Sequence, residues 1–175
     1  MSTDGSAQSV EDGRVLVPGR LTEDAWTPFG WLPVADTDPR DGAHRMTFDW
    51  ADPHVNLIGH TLDEVPETAR GLRCEMLYRH DTHTQSLLCI NVPAVIAVAP
   101  AGVEFTAAAD AESIRAFRLE PLDSLVLHLG TWHWGPFPIH APEVRLFNVQ
   151  GLRYAEDNRR MDLAAKGLSV EVDLT

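Results

Sequence analysis

The sequence predicts an all-β fold, a barrel or double-sheet jelly roll with a few short helices. Short apolar runs recur along the chain between Gly- and Pro-marked turns, the signature of many short strands. Little of the chain carries the 3.6-residue periodicity of an amphipathic helix. The clearest run, Leu125-Val-Leu127, opens a stretch that continues to Pro138 and is cut by Gly130 and Gly135.

In chain order, residues 1–12 are polar and acidic and read as a disordered tail, leaving residues 13–175 as one domain. Arg14-Val-Leu-Val-Pro18 gives a short strand. Leu21 to Gly30 holds one helical turn, with Thr22 as N-cap, Glu23 and Asp24 favoured by the helix dipole, and Pro28 as the stop. A strand begins at Trp31, and residues 36–42 form an exposed turn. Between Thr47 and Glu67 no element is read, because Pro53, Gly59 and Pro66 break any helix; His44, His54 and His60 are expected at the surface or as caps. Strands are then expected at Arg73–Arg79, Gln85–Asn91 and Pro93–Pro100, the last two joined by a tight turn. A turn or short helix from Asp110 leads into a strand at Arg115–Leu119. Leu122–Leu129 and Val144–Val149 follow as strands, Ala155–Gly167 reads as helical, and Leu168–Leu174 closes as an alternating strand.

Composition narrows the function. The chain has 175 residues, 44% hydrophobic and 23% charged, with a net charge of −12. That balance disfavours nucleic acid and anionic membranes as partners. No apolar run approaches the ~20 residues of a membrane span, and the N-terminus lacks a signal-peptide pattern, so a cytoplasmic protein is expected. Cys74 and Cys89 have no CxxC spacing and read as buried free thiols. Lys166 is the only lysine, which argues against Schiff-base chemistry. Internal repeats, a phosphate-binding Gly-rich loop, a nucleophile elbow and a nucleotide fingerprint are all absent from the sequence.

Function-capable groups concentrate where the Leu125 strand ends: His128, Trp132, His133 and Trp134. Buried polar groups there must be satisfied or they cost free energy. A second concentration is Tyr78-Arg-His80-Asp-Thr-His83-Thr84-Gln85. Together the two resemble the paired motifs of the cupin barrel, in which two histidines one residue apart precede an acidic residue, and a glycine stands three residues before a third histidine. Tyr78, His80 and Gln85 occupy the first set of positions here, Gly130 and His133 the second. Alternation puts Tyr78 and His80 on one strand face.

Within that fold the chain resembles the ureidoglycolate lyase family from about Leu21 to Asn148. The marks are Trp26-Thr-Pro-Phe-Gly30, Arg79-His80 followed by Thr84-Gln85, Ala94-Val-Ile-Ala-Val-Ala-Pro100, Ile114-Arg-Ala-Phe117 and Gly130-Thr-Trp-His133. The resemblance implies a double-stranded β-barrel enzyme of ureide catabolism, a homodimer, that cleaves ureidoglycolate to glyoxylate and urea. Such chemistry needs a base for the carbinol hydroxyl, an acid for the departing nitrogen and a cation for the carboxylate. His80 and His133 are the expected base and acid in unassigned order. Gln85 would orient substrate or complete a metal shell, and Arg115 would hold the carboxylate. Tyr78, Trp132 and His128 would contact substrate, with Trp134 as an alternative wall. The site is expected either to work without a metal or to hold a divalent ion (manganese, zinc, nickel or iron) through His80, Gln85 and His133, with His83 or His128 compensating. Other readings are a metal-dependent isomerase or dioxygenase of the same fold, or a barrel that only binds a small ligand.

Overall fold

A computed structural model describes residues 13–175; the tail expected over residues 1–12 lies outside the described residues. The elements, in chain order, are β1 (Arg14–Leu16), β2 (Gly19–Arg20), α1 (Glu23–Trp26), β3 (Gly30–Trp31), β4 (Pro53–Thr61), β5 (Gly71–Arg73), β6 (Met76–His80), β7 (Gln85–Cys89) and β8 (Ala94–Ala99). They continue with β9 (Arg115–Leu119), β10 (Ser124–Leu127), β11 (Trp132–Pro138), β12 (Glu143–Gly151), β13 (Asn158–Asp162) and β14 (Val170–Asp173). Single 3-10 segments lie at Leu62–Glu64, Ala108–Ser113 and Ala164–Lys166. Among the described residues no helix is long and apolar enough to cross a membrane.

The strands form three sheets: β3-β10-β7-β12-β4, β13-β6-β11-β8-β9-β2, and the smaller β1-β14-β5. The fold is the expected all-β, barrel-like arrangement. Its sheets are open, however, and close on one another by packing without a continuous hydrogen-bonded ring among the described residues.

Strand β8 shows how the layers stack. Ala94-Val-Ile-Ala-Val-Ala99 is apolar throughout because both its faces are covered. Val95, Ala97 and Ala99 pack with Leu72, Val170 and Val172 of the small sheet, while Ala94, Ile96 and Val98 pack with Leu87, Leu125 and Leu146 of the five-stranded sheet. The six-stranded sheet therefore separates two cores. One end of the second core is stopped by α1. Thr22 Oγ1 accepts from the Ala25 N–H as N-cap, and the fully buried Trp26 donates its indole N–H to the Val126 carbonyl at 3.0 Å. Phe29 and Phe117 pack against that indole at 5.8 and 5.3 Å between centroids.

Four sequence readings need correction. The unread segment before Glu67 contains β4, nine residues long and paired along its length with β12. It escapes pattern reading because it is an edge strand with one wet face: Val55 and Leu57 are 55% and 70% exposed while Asn56, Ile58 and His60 are half-buried, and an edge tolerates Pro53 and Gly59. The segment Ala155–Gly167 is helical only in the 3-10 turn Ala164–Lys166. It supplies β13, antiparallel to β6 with Asn158 opposite His80; a helix this short is marginal in isolation, and a free strand edge captures the backbone instead. The strand expected over Arg73–Arg79 is two strands in different sheets, broken where the Cys74 N–H turns to the Val170 carbonyl. Finally, the strand expected to begin at Trp31 ends there.

Candidate active site

Strands β6 and β11 are neighbours in the six-stranded sheet, with His133 opposite Tyr78. Alternation aims Tyr78, His80 and His133 between the two large sheets, where β7 supplies Gln85 from the facing sheet. These four line one cavity of about 480 Å³. The coupling of the two motifs has a backbone cause. Gly130 sits at φ +72°, a conformation that favours glycine, and its N–H bonds the His80 carbonyl at 2.7 Å. A Cβ there would crowd Ala101 at 3.2 Å. Three residues later His133 reaches the cavity.

His133 is buried, and the Thr131 carbonyl lies 3.1 Å from its Nδ1. A carbonyl only accepts, so Nδ1 carries the proton and Nε2 keeps its lone pair. Burial, helped by the nearby His83 and His60 and opposed by the Thr131 hydrogen bond, pushes the His133 pKa down to about 4. The His80 ring lies 5.3 Å from His133 and 4.4 Å from His83, centroid to centroid. Burial, reinforced by those two imidazoles, pushes His80 down to about 2. Both rings are neutral near pH 7. The unliganded site therefore holds two neutral imidazoles, either of which can accept a proton.

A buried amide network fixes the opposite wall. The Asn148 Nδ2 donates to Asn56 Oδ1 at 2.7 Å, so Asn148 Oδ1 faces Gln85 and accepts from its Nε2 at 2.9 Å. Gln150 Oε1 lies 3.3 Å from the same Nε2. With its NH₂ committed, Gln85 is left with Oε1 buried and without a donor, and Asn158 Oδ1 is in the same condition. Both residues line the cavity. A buried acceptor without a donor costs about 1–3 kcal/mol, so each is a demand for an incoming N–H.

Three other expected contacts are placed elsewhere. Arg115 is exposed on β9, donates to the carbonyls of Glu112 and Ile114, and lines a different groove. Trp132 packs into the core on the far side of its sheet, donates its indole N–H to the Val103 carbonyl at 2.7 Å and carries the Arg79 guanidinium 4.5 Å above its ring. His128 is exposed beside Trp31, 5.4 Å between centroids. Trp134 does line the cavity.

Sequence reasoning missed several lining residues. His60, expected at the surface or as a cap, lines the cavity and holds Glu64 through Nδ1 at 2.9 Å. Arg73 is the one Arg or Lys among the lining residues, and it takes part in no ion pair among the described residues. The legible signal was on β12, where Val144, Leu146, Asn148 and Gln150 share the buried face: two amides in line with two aliphatics mark the edge of a polar site.

The cupin-type positions do not fit a tightly bound divalent ion. Tyr78, His80, Gln85 and His133 include no carboxylate, and the Gln85 amide is already tied to Asn148. A donor set of neutral groups leaves the charge of the ion uncompensated in a buried site.

Comparison with known proteins gives one family. The family model described as ureidoglycolate lyase matches residues 13–170. No curated protein matches the chain.

Proposed function

The chain belongs to the ureidoglycolate lyase family, and we propose that it cleaves ureidoglycolate to glyoxylate and urea in the His133 cavity. The observation that carries this reading is the pair of buried, donor-less amide oxygens, Gln85 Oε1 and Asn158 Oδ1, in the same cavity as a neutral imidazole. A ureido group offers N–H donors to both.

His133 acts as a single proton shuttle. Its Nε2 takes the proton of the carbinol hydroxyl as the C–N bond breaks. The hydroxyl oxygen becomes the aldehyde oxygen of glyoxylate, the C–N electron pair leaves on nitrogen, and the imidazolium returns its proton there to complete urea. One proton moves from oxygen to nitrogen and none is consumed. A low pKa makes the imidazolium a strong acid for the second half. The anionic substrate raises that pKa in the complex, which strengthens the base for the first half. Arg73 holds the carboxylate, in place of the expected Arg115, as the unpaired cation of the cavity. Neutral His80 and Tyr78 orient the hydroxyl. Trp134, which lines the cavity, limits water there.

The accompanying expectations, a homodimer acting in the cytoplasm, are read by light scattering and fractionation. The reaction itself is tested by incubating the protein with ureidoglycolate and measuring glyoxylate and urea. Release of both in equal amounts, well above spontaneous decay, supports the reading. Absence of release from folded protein rejects it.

A further inference from the structure

We propose that His80, His83 and Asp157 form a binding site for one divalent first-row transition-metal ion behind the cavity wall, distinct from the cupin-type positions. Each residue offers one ligand atom, and these atoms all lie within 4.8 Å of one another. They arrive from three places: the end of β6, the β6–β7 turn and the segment entering β13. Pairing of β13 with β6 is what brings Asp157 to the histidines.

Two features mark a built site. First, His80 and His83 are only 7% and 3% exposed, yet His80 Nδ1 and His83 Nε2 have no hydrogen-bond partner. Buried polar atoms are normally satisfied, and each of these nitrogens lacks a protein partner in a cluster whose ligand atoms already approach one another. Second, the carboxylate is already held. Asp157 Oδ2 accepts from the Thr82 N–H at 2.8 Å and from Thr82 Oγ1 at 2.7 Å, and it lies 3.3 Å from His83 Nδ1. Outer hydrogen bonds of this kind orient metal ligands. The backbone of Gly151 leaves room for the ring: a Cβ there would stand 2.9 Å from His83 Nδ1.

Two imidazoles and one carboxylate suit zinc, iron, cobalt or nickel over magnesium or calcium. The set supplies the negative charge that Tyr78, Gln85 and His133 lack. Metal bonds of about 2.0–2.2 Å require the ligand atoms to close up by roughly an ångström, so binding has to reorient the two stacked imidazoles. His80 belongs to both groups, so an ion here touches the cavity through one ligand only.

The test is a titration of untagged, chelator-stripped protein with Co²⁺, followed by its visible absorption, with Zn²⁺ and Mg²⁺ as competitors. No substrate is needed, so its outcome is separate from that of the lyase assay. One equivalent of Co²⁺ is expected, displaced by Zn²⁺ and not by Mg²⁺. His83→Gln and Asp157→Asn should each weaken binding by a factor of about 100 or more, and Thr82→Val by about tenfold. His133→Gln should leave binding unchanged. Far-UV circular dichroism identifies any variant that does not fold, and the remaining variants then decide. Absence of saturable binding by the wild-type chain overturns the proposal. So does binding that survives both His83→Gln and Asp157→Asn, or binding that His133→Gln abolishes.

Discussion

Exchanging the two candidate carboxylate clamps separates the structural reading from the sequence reading. Arg73 lines the cavity and is paired with no acid among the described residues, whereas Arg115 lines another groove and spends its guanidinium on backbone carbonyls. A charge-assisted hydrogen bond contributes about 1.5–3 kcal/mol. At about 1.4 kcal/mol per decade, Arg73→Ala should raise KM for ureidoglycolate about 10- to 100-fold. Because Arg73 is exposed, solvent screening favours the lower end of that range. The carboxylate keeps its charge through the reaction, so the contact is equally strong in ground and transition states, and kcat should change little. Arg73→Lys should recover part of the loss, because the ammonium keeps the charge without the fork. Arg115→Ala should leave both constants within about twofold. The assay is initial-rate glyoxylate release over a range of substrate concentrations. An unchanged KM in Arg73→Ala, or an equal rise in Arg115→Ala, refutes the placement of the carboxylate.

Gln85→Leu removes one donor-less oxygen and strands Asn148 Oδ1; affinity for substrate should fall about tenfold, and stability should fall by about 1–3 kcal/mol in urea unfolding. Unchanged affinity would remove Gln85 from ureido recognition. In acid, chelator-treated protein should lose stability because folded His133 titrates near 4 and the unfolded ring at 6.5. The folded pKa is the lower one, so stability is complete above pH 6.5 and declines as pH falls towards 4, by roughly 3 kcal/mol at 1.36 kcal/mol per pH unit. His133→Gln should make that decline shallower, leaving the part due to His80, whose folded pKa is also lowered; equal slopes for variant and wild type in urea unfolding at several pH values would contradict it. Cys74 and Cys89 are buried, and burial raises both thiols, Cys89 to about 11. Neither should react with a thiol reagent until the protein unfolds; rapid labelling of native protein would show that the two cores open.

What the sequence made legible was whatever local spacing encodes. Apolar runs such as Ala94–Ala99 and Leu125–Leu127 announce buried strands wherever they sit. The Gly130–His133 spacing survives because one left-handed residue and three steps of chain set where the imidazole arrives. Placement across layers was not legible. The six-stranded sheet is buried on both faces, so a buried position has two meanings: Trp132 and His133 are both inside, in different cores. The position of Arg115 was not legible for a related reason, since alternation assigns a face without saying which groove that face meets. Strands β4 and β13 were hidden because edge strands take their stability from one neighbour and keep a polar side. With them were hidden His60, Asp157 and Asn158, which the cavity and its wall need.

His133 carries the central claim, and kcat for glyoxylate release by His133→Gln against wild type tests it most directly. Removing a proton shuttle should lower kcat by about 10²–10⁴ while the folded variant still binds substrate. A kcat within tenfold of wild type would mean that the proton moves by another route and that the cavity is not organised around His133.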